Sequence, residues 1–196
     1  GSTELLHIFM PFRVDDIRPG STGKPISGYE AKVVDDDGNE VAPGTTGKLE
    51  VRGPTGCRYL AVDRQEKYVQ NGWNLTGDAY QMDEDGYYLF KARTDDMIIS
   101  SGYNIAGPEV EIALLAHQAV VECAVVGVPD AQRGSLVKAF VVLQQGIFGD
   151  ENLVKQLQDF VKRSIAPYKY PSVLEFVDSL PKTETGKIQR FKLREG

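Results

Sequence analysis

Asp85-Gly86-Tyr87-Tyr88-Leu89-Phe90-Lys91-Ala92-Arg93-Thr94-Asp95-Asp96 is the stretch on which the fold turns, because the texture of the chain changes across it. Asp85-Gly86 is a turn dipeptide that leads into a strand candidate at Tyr87 to Phe90. Everything upstream has the same character. Tyr29 to Val34 is a further strand candidate, followed by a hairpin-type turn at Asp37-Gly38. Leu49-Glu50-Val51-Arg52 alternates apolar and charged residues and is closed by Gly53-Pro54. These segments predict a small antiparallel sheet or barrel.

Downstream of a join at Arg93 to Asp96, helices and strands mix. Pro108 suits the first turn of a helix, and Glu109 and Glu111 suit the positive end of its dipole. That helix is expected to run through Leu114-Leu115. Val120 to Val128 and Leu136 to Leu143 read as strands. Asp150 is placed to cap a helix whose Leu153, Leu157, Phe160 and Val161 share one apolar face. Pro167 is expected to end it, with a last strand at Val173 to Val177. The order predicts an α+β fold: a small β-rich subdomain followed by a mobile α+β domain. The expected boundaries are 1–18 for the tail of a preceding core domain, 19–94 for the β-rich subdomain and 95–196 for the mobile domain.

Composition narrows the function. At 196 residues the chain is long enough for one or two domains with real cores. A formal net charge of -6 argues against a general nucleic-acid binder. No apolar run approaches the ~18 residues of a membrane span. The start, Gly1 to Met10, lacks the basic region of a secretory signal, so a cytoplasmic location is expected. Cys57 and Cys123 read as two free, partly buried thiols. His7 and His117 stand apart from any cluster at ligand spacing, which argues against zinc.

Thr-Gly-Lys occurs three times. Gly20-Ser21-Thr22-Gly23-Lys24-Pro25 and Gly44-Thr45-Thr46-Gly47-Lys48 lack the spacing and the strand-loop-helix frame of a nucleotide-binding phosphate loop, and both read as turns. Pro181-Lys182-Thr183-Glu184-Thr185-Gly186-Lys187 follows the last strand. By spacing it is either a surface turn or a flexible loop carrying a cation to a phosphate or carboxylate.

Five segments in order resemble the signature motifs of the acyl-adenylate-forming superfamily. They are Gly1-Ser2-Thr3-Glu4, then Gly47 to Gly53, then Gly72-Trp73-Asn74-Leu75-Thr76-Gly77-Asp78, then Arg93 to Ile98 with Ser101-Gly102, and finally Pro181 to Lys187. Gly102 to Glu111 and Glu184 to Arg190 are similar above all to benzoate and 2-aminobenzoate CoA ligases. Medium-chain acyl-CoA synthetases look similar too. The resemblance implies that a carboxylic acid, benzoate-like by the closer likeness, reacts with ATP to an acyl-adenylate, and that the acyl group then passes to the CoA thiol.

Site roles follow from the same resemblance. Thr3 matches the threonine that contacts the AMP phosphate, and Glu4 the carboxylate that helps hold Mg²⁺. Asp78 matches the aspartate that accepts hydrogen bonds from both ribose hydroxyls, and Arg93 the arginine near ribose and phosphates. Lys187 matches the catalytic lysine of adenylation, where a positioned cation stabilises converging negative charge. Asp95 matches the hinge about which the C-terminal domain swings between half-reactions. Gly102 and Tyr103 fall in the segment then presented to CoA. Ile99 departs from the basic or polar residue of many relatives. Lys169, in Ala166 to Pro171, reads equally as an attractor of CoA phosphates and as a solvated lysine. The superfamily's phosphate loop and most of its acyl pocket lie in a large N-terminal domain that these residues do not supply. The chain is therefore expected to need that domain as its partner and to be inactive alone. A medium-chain acyl-CoA synthetase, a peptide-synthetase adenylation domain and a non-catalytic nucleotide-binding module are the alternatives.

Overall fold

The alternation at Leu49 to Arg52 is part of a strand. β2 (Thr46–Arg52) pairs antiparallel with β1 (Glu30–Val34). Leu49 and Val51 turn into the core, where they are 1% and 0% exposed. Glu50, on the opposite face, lies across from Lys32 and pairs with it at 3.0 Å. The computed structural model describes residues 1–194 except Thr3, His7, 12–14 and Ala61, and for Val62 and Arg64 the backbone alone. The chain divides into two compact units, Gly1–Asp95 and Asp96–Gly196.

In the first unit β4 (Trp73–Met82) is the spine. One edge pairs with β2. The other pairs with β3 (Val69–Gln70) at one end and with β5 (Tyr88–Arg93) at the other, all antiparallel. The β4–β5 register sets Asp78 directly across from Arg93. Leu5, Phe9, Val33, Leu49, Val51 and Tyr88 share the core of this unit. Two expectations change here. Val62–Tyr68 is a helix, α1, inside a half read as strands and turns; its polar straight-chain residues are good helix formers. The second Thr-Gly-Lys is not a turn. Thr46, Gly47 and Lys48 open β2, and Gly47 lies so close to β1 that a Cβ there would stand 2.3 Å from the Val34 carbonyl oxygen.

The second unit opens with a hairpin of β6 (Met97–Ser100) and β7 (Tyr103–Ala106). Ser101 and Gly102 link them with φ of 51° and 81°. Two left-handed residues in a two-residue loop are the requirement of a type I′ turn, so Gly102 has a conformational reason to be glycine. α2 (Gly107–Leu115) follows with Pro108 in its first turn. The central sheet has the order β10-β9-β8: β8 (Val120–Asp130) and β9 (Gly134–Leu143) are antiparallel, and β10 (Val173–Phe176) is parallel to β9. α3 (Glu151–Ser164) is capped by Asp150, whose side chain accepts from the Leu153 N–H at 2.7 Å. It ends at Ile165, ahead of Pro167, which instead opens a short 3₁₀ turn.

Both faces of this sheet are covered. Cys123, Val125, Ala139 and Val141 pack against α2 and α3, with Leu157 and Val161 fully buried among them. Ala124, Val126 and Phe140 turn the other way and meet Leu180, Ile188 and Leu193 of the C-terminal segment. That segment ends in α4 (Arg190–Arg194). The fold is α+β with mostly antiparallel pairing. Among the described residues no helix is long and apolar enough to cross a membrane.

Candidate functional site

β4 and β5 converge where their register pairs Asp78 with Arg93. Arg93 Nη1 donates to Asp78 Oδ1 at 3.0 Å and to the Thr76 carbonyl at 3.1 Å. Gly77 between them has φ +74°, and a Cβ there would collide with the Arg93 guanidinium. Burial pushes the Asp78 carboxyl above its ordinary value, and the charge of Arg93 opposes that shift. The pair stays open to solvent, with 25% of the Asp78 side chain and 50% of the Arg93 side chain exposed. Arg93 Nε also approaches Asp95 at 3.5 Å.

This pair lines a cavity of about 530 Å³ in the first unit, together with Glu4, Tyr59, Lys67, Tyr68 and Thr76. Glu4 Oε1 accepts from the Tyr59 hydroxyl at 3.1 Å. Tyr59 and Tyr68 meet edge to face at 5.4 Å. The Tyr68 hydroxyl is buried without a hydrogen-bond partner of good geometry among the described residues. Burial raises its pKa, so it stays a protonated donor. Reading the sequence for motifs missed Lys67 and Tyr68, because α1 was not recognised as a helix that delivers them. Thr3 lies outside the described residues.

Among the described residues no three His, Cys, Asp or Glu side chains cluster as metal ligands. Glu4 alone still fits Mg²⁺, which is usually held by one or two carboxylates plus substrate phosphates. Bound with a nucleotide, Mg²⁺ would neutralise phosphate charge.

The second unit carries the remaining candidates. Lys187 is exposed on a tight turn in which Thr183 N donates to Lys187 O at 2.8 Å and Lys187 N to Thr183 Oγ1 at 3.0 Å. Gly102 and Tyr103 sit at the tip of the β6–β7 hairpin, with Tyr103 52% exposed and stacked on Tyr168 at 4.3 Å. Ile99 is 57% exposed on β6. Lys169 is not a solvated lysine: its side chain is 17% exposed and grips Glu109 at 2.6 Å. Asp95 is exposed in the 3₁₀ turn Thr94–Asp96, at the last position of the first unit.

Comparison with known proteins bears on the family. Residues 1–59 match the AMP-binding enzyme family and residues 109–187 match the AMP-binding enzyme C-terminal domain. The benzoate–CoA ligase of Thauera aromatica is 46% identical across 99% of this chain, which covers 37% of that protein. The human mitochondrial acyl-coenzyme A synthetase ACSM4 is 47% identical across the whole chain, which covers 35% of it. The crystal structure of the anthranilate CoA ligase AuaEII in complex with anthranoyl-AMP superimposes with a TM-score of 0.85 at 45% identity, over all of this chain and 38% of that one. A benzoate CoA ligase from Burkholderia xenovorans LB400 gives 0.83 at 42% identity, over 99% of this chain and 39% of that one. The chain thus spans little more than a third of the length of the relatives it matches. With both family matches in order along it, the chain belongs to the AMP-binding enzymes, the family of the AMP-forming acyl-CoA ligases.

Proposed function

We propose that this chain is the C-terminal portion of an acid–CoA ligase that converts a carboxylic acid, ATP and CoA to acyl-CoA, AMP and pyrophosphate through an acyl-adenylate. The observation that carries the reading is the convergence of Glu4, Asp78 and Arg93 on one cavity large enough for much of a nucleotide. Asp78 would accept from the ribose hydroxyls, Arg93 would face ribose and phosphate, and Glu4 would take Mg²⁺, with Thr3 on the phosphate. Lys187 is read as the adenylation lysine, Asp95 as the hinge, and Gly102 with Tyr103 as CoA contacts. Residues 1–18 belong on this reading to the preceding domain, 19–94 to a β-rich subdomain and 95–196 to a mobile domain working in the cytoplasm. The acid is aromatic and benzoate-like, as the names of the benzoate and anthranilate relatives suggest. The equal likeness to the acyl-coenzyme A synthetase ACSM4 favours a second reading, a medium-chain acyl-CoA synthetase.

Two mutants of the complete ligase test the assignment. Lys187→Ala should slow adenylation by at least ~100-fold and leave thioester formation from pre-made acyl-adenylate intact. Asp95→Pro should do the reverse, because proline resists the backbone change of a hinge. Equal losses in both half-reactions for both mutants would show that the lysine or the hinge is misassigned. Purified 1–196 should form no thioester with any acid, and measurable acyl-CoA production by it would contradict the proposal.

A further inference from the structure

Glu111 and Arg190 end two of the motif segments, and the structure joins them. Their side chains are 11% and 23% exposed. Glu111 Oε1 accepts from the Val125 backbone N–H at 2.8 Å and from Arg190 Nη2 at 2.9 Å and Nε at 3.3 Å, while Oε2 accepts from Nη2 at 2.9 Å. A carboxylate so enclosed has little capacity left for a ligand. It is a tether, and what it holds is informative.

Arg190 is the first residue of α4 and follows Lys187 by three positions. At the far end of the same helix, Arg194 pairs with Asp96. Between them Leu193, with Ile188 just upstream, packs on the sheet face formed by Ala124, Val126 and Phe140. On the other leg of the turn, Lys182 bridges Ile188 and pairs with Glu122 at 2.7 Å. Gln189 N donates to Pro181 O at 2.8 Å and closes the base. Both legs of the Lys187 turn are therefore fixed to one sheet, and the downstream leg is fixed through a buried charge pair.

We propose that Glu111 is a positioning residue for Lys187: by clamping Arg190 it fixes the turn from which the lysine projects. This rests on the reading of Lys187 as the adenylation lysine. A cation stabilises developing charge only if it is held in place beforehand, and a displacement of about 1 Å in a reacting array costs on the order of 100-fold in rate. Glutamine at 111 would still accept from Val125 but would lose the charge that holds the guanidinium. Lysine at 190 would keep the positive charge and lose the fork.

The test uses the complete ligase as wild type, E111Q, R190K and K187A. Pyrophosphate release reports adenylation, and thioester formation is started from pre-made acyl-adenylate. E111Q and R190K should each lower the adenylation kcat about 10- to 100-fold with KM for ATP within about twofold. Thioester formation should be unchanged, and amide exchange at Gly186 and Lys187 should quicken. Normal adenylation in folded E111Q and R190K would overturn the clamp, and so would parallel losses in both half-reactions, the mark of a merely structural pair. Should E111Q fail to fold, R190K decides, and failure of both to fold would also overturn it. K187A separates the two levels: if it adenylates normally, the reading of the lysine fails irrespective of the clamp.

Discussion

Gly77→Ala perturbs the candidate nucleotide site through one methyl group. Gly77 has φ +74°, where an L-residue costs about 1–2 kcal/mol. The new Cβ would stand 2.7 Å from Arg93 Nη2 and 3.2 Å from Cζ and Nη1. The obstruction is the end of a flexible side chain, so the guanidinium moves and the backbone stays. It then leaves Asp78, now 3.0 Å away, and an ion pair this exposed is worth about 0.2–1 kcal/mol. Together these give about 1–3 kcal/mol, a fall of roughly 5–15 °C in the melting temperature of a unit this size. Gly86→Ala is the control: its φ is +80° but a Cβ there meets nothing within 4 Å, so it carries the strain alone. Calorimetry should show both variants destabilised, Gly77→Ala somewhat more. Titration of the complete protein with AMP should separate them, with affinity down about tenfold, or 1.4 kcal/mol, in Gly77→Ala alone. Equal AMP affinity in Gly77→Ala, Gly86→Ala and wild type would refute the placement of Arg93 at the ligand.

Leu157→Ala empties a position that is 0% exposed under α3 and should cost about 2–5 kcal/mol, read as an earlier melting of the second unit with the first unchanged. Asp150→Ala removes the α3 cap and should cost about 1 kcal/mol by urea denaturation; no loss would mean the Leu153 amide finds another acceptor. Burial pushes the Cys123 thiol up to about 12, while Cys57 is partly exposed. Iodoacetamide at pH 8 should therefore label Cys57 and spare Cys123 until denaturant is added, and two fast equivalents by mass spectrometry would contradict the packing of β8. The Asp78 carboxyl titrates above its ordinary 3.8 in the folded chain, so its contribution to stability is fullest below that value and is lost as pH rises through the folded pKa. Asp78→Asn should flatten that fall in a pH series of melting temperatures.

Where local chemistry and tertiary need agree, the sequence was readable. Asp150 before Leu153, Leu157 and Val161 is such a case, since the cap and the apolar stripe specify the same helix. β8 and β9 were legible as long β-branched runs, which suits a sheet packed on both faces. α1 was not, because its residues carry no apolar stripe and helix propensity alone is a weak signal over seven residues. Gly47 was misread as a turn residue because the close approach of the Val34 carbonyl, which also favours glycine, depends on a strand that ends thirteen residues upstream. The site divides the same way. Asp78 and Arg93 stood out as motif residues, yet their pairing follows from the β4–β5 register. Lys67 and Tyr68 carry no motif and enter the cavity only through the helix that was missed.

Asp78–Arg93 in the first unit and Glu111–Arg190 in the second show how burial and leftover hydrogen-bonding capacity assign different work to the same chemistry. Asp78 and Arg93 meet through a single hydrogen bond, to Oδ1, and half of the arginine side chain faces solvent. Desolvation makes the carboxylate eager for donors, while the one guanidinium contact leaves room for them. A ligand with paired hydroxyls could add bonds there without breaking the existing one. Glu111 and Arg190 are the opposite: three side-chain contacts and a backbone N–H consume the carboxylate, and removing either partner would strand a buried charge at a typical cost of about 3–5 kcal/mol. Such a pair resists rearrangement, which disqualifies it as a binding site and suits it to hold Arg190 at the foot of the Lys187 turn. Arg93, half exposed, thus keeps room for a ligand beside its contacts to Asp78 and the Thr76 carbonyl, whereas Arg190 is committed to the fold.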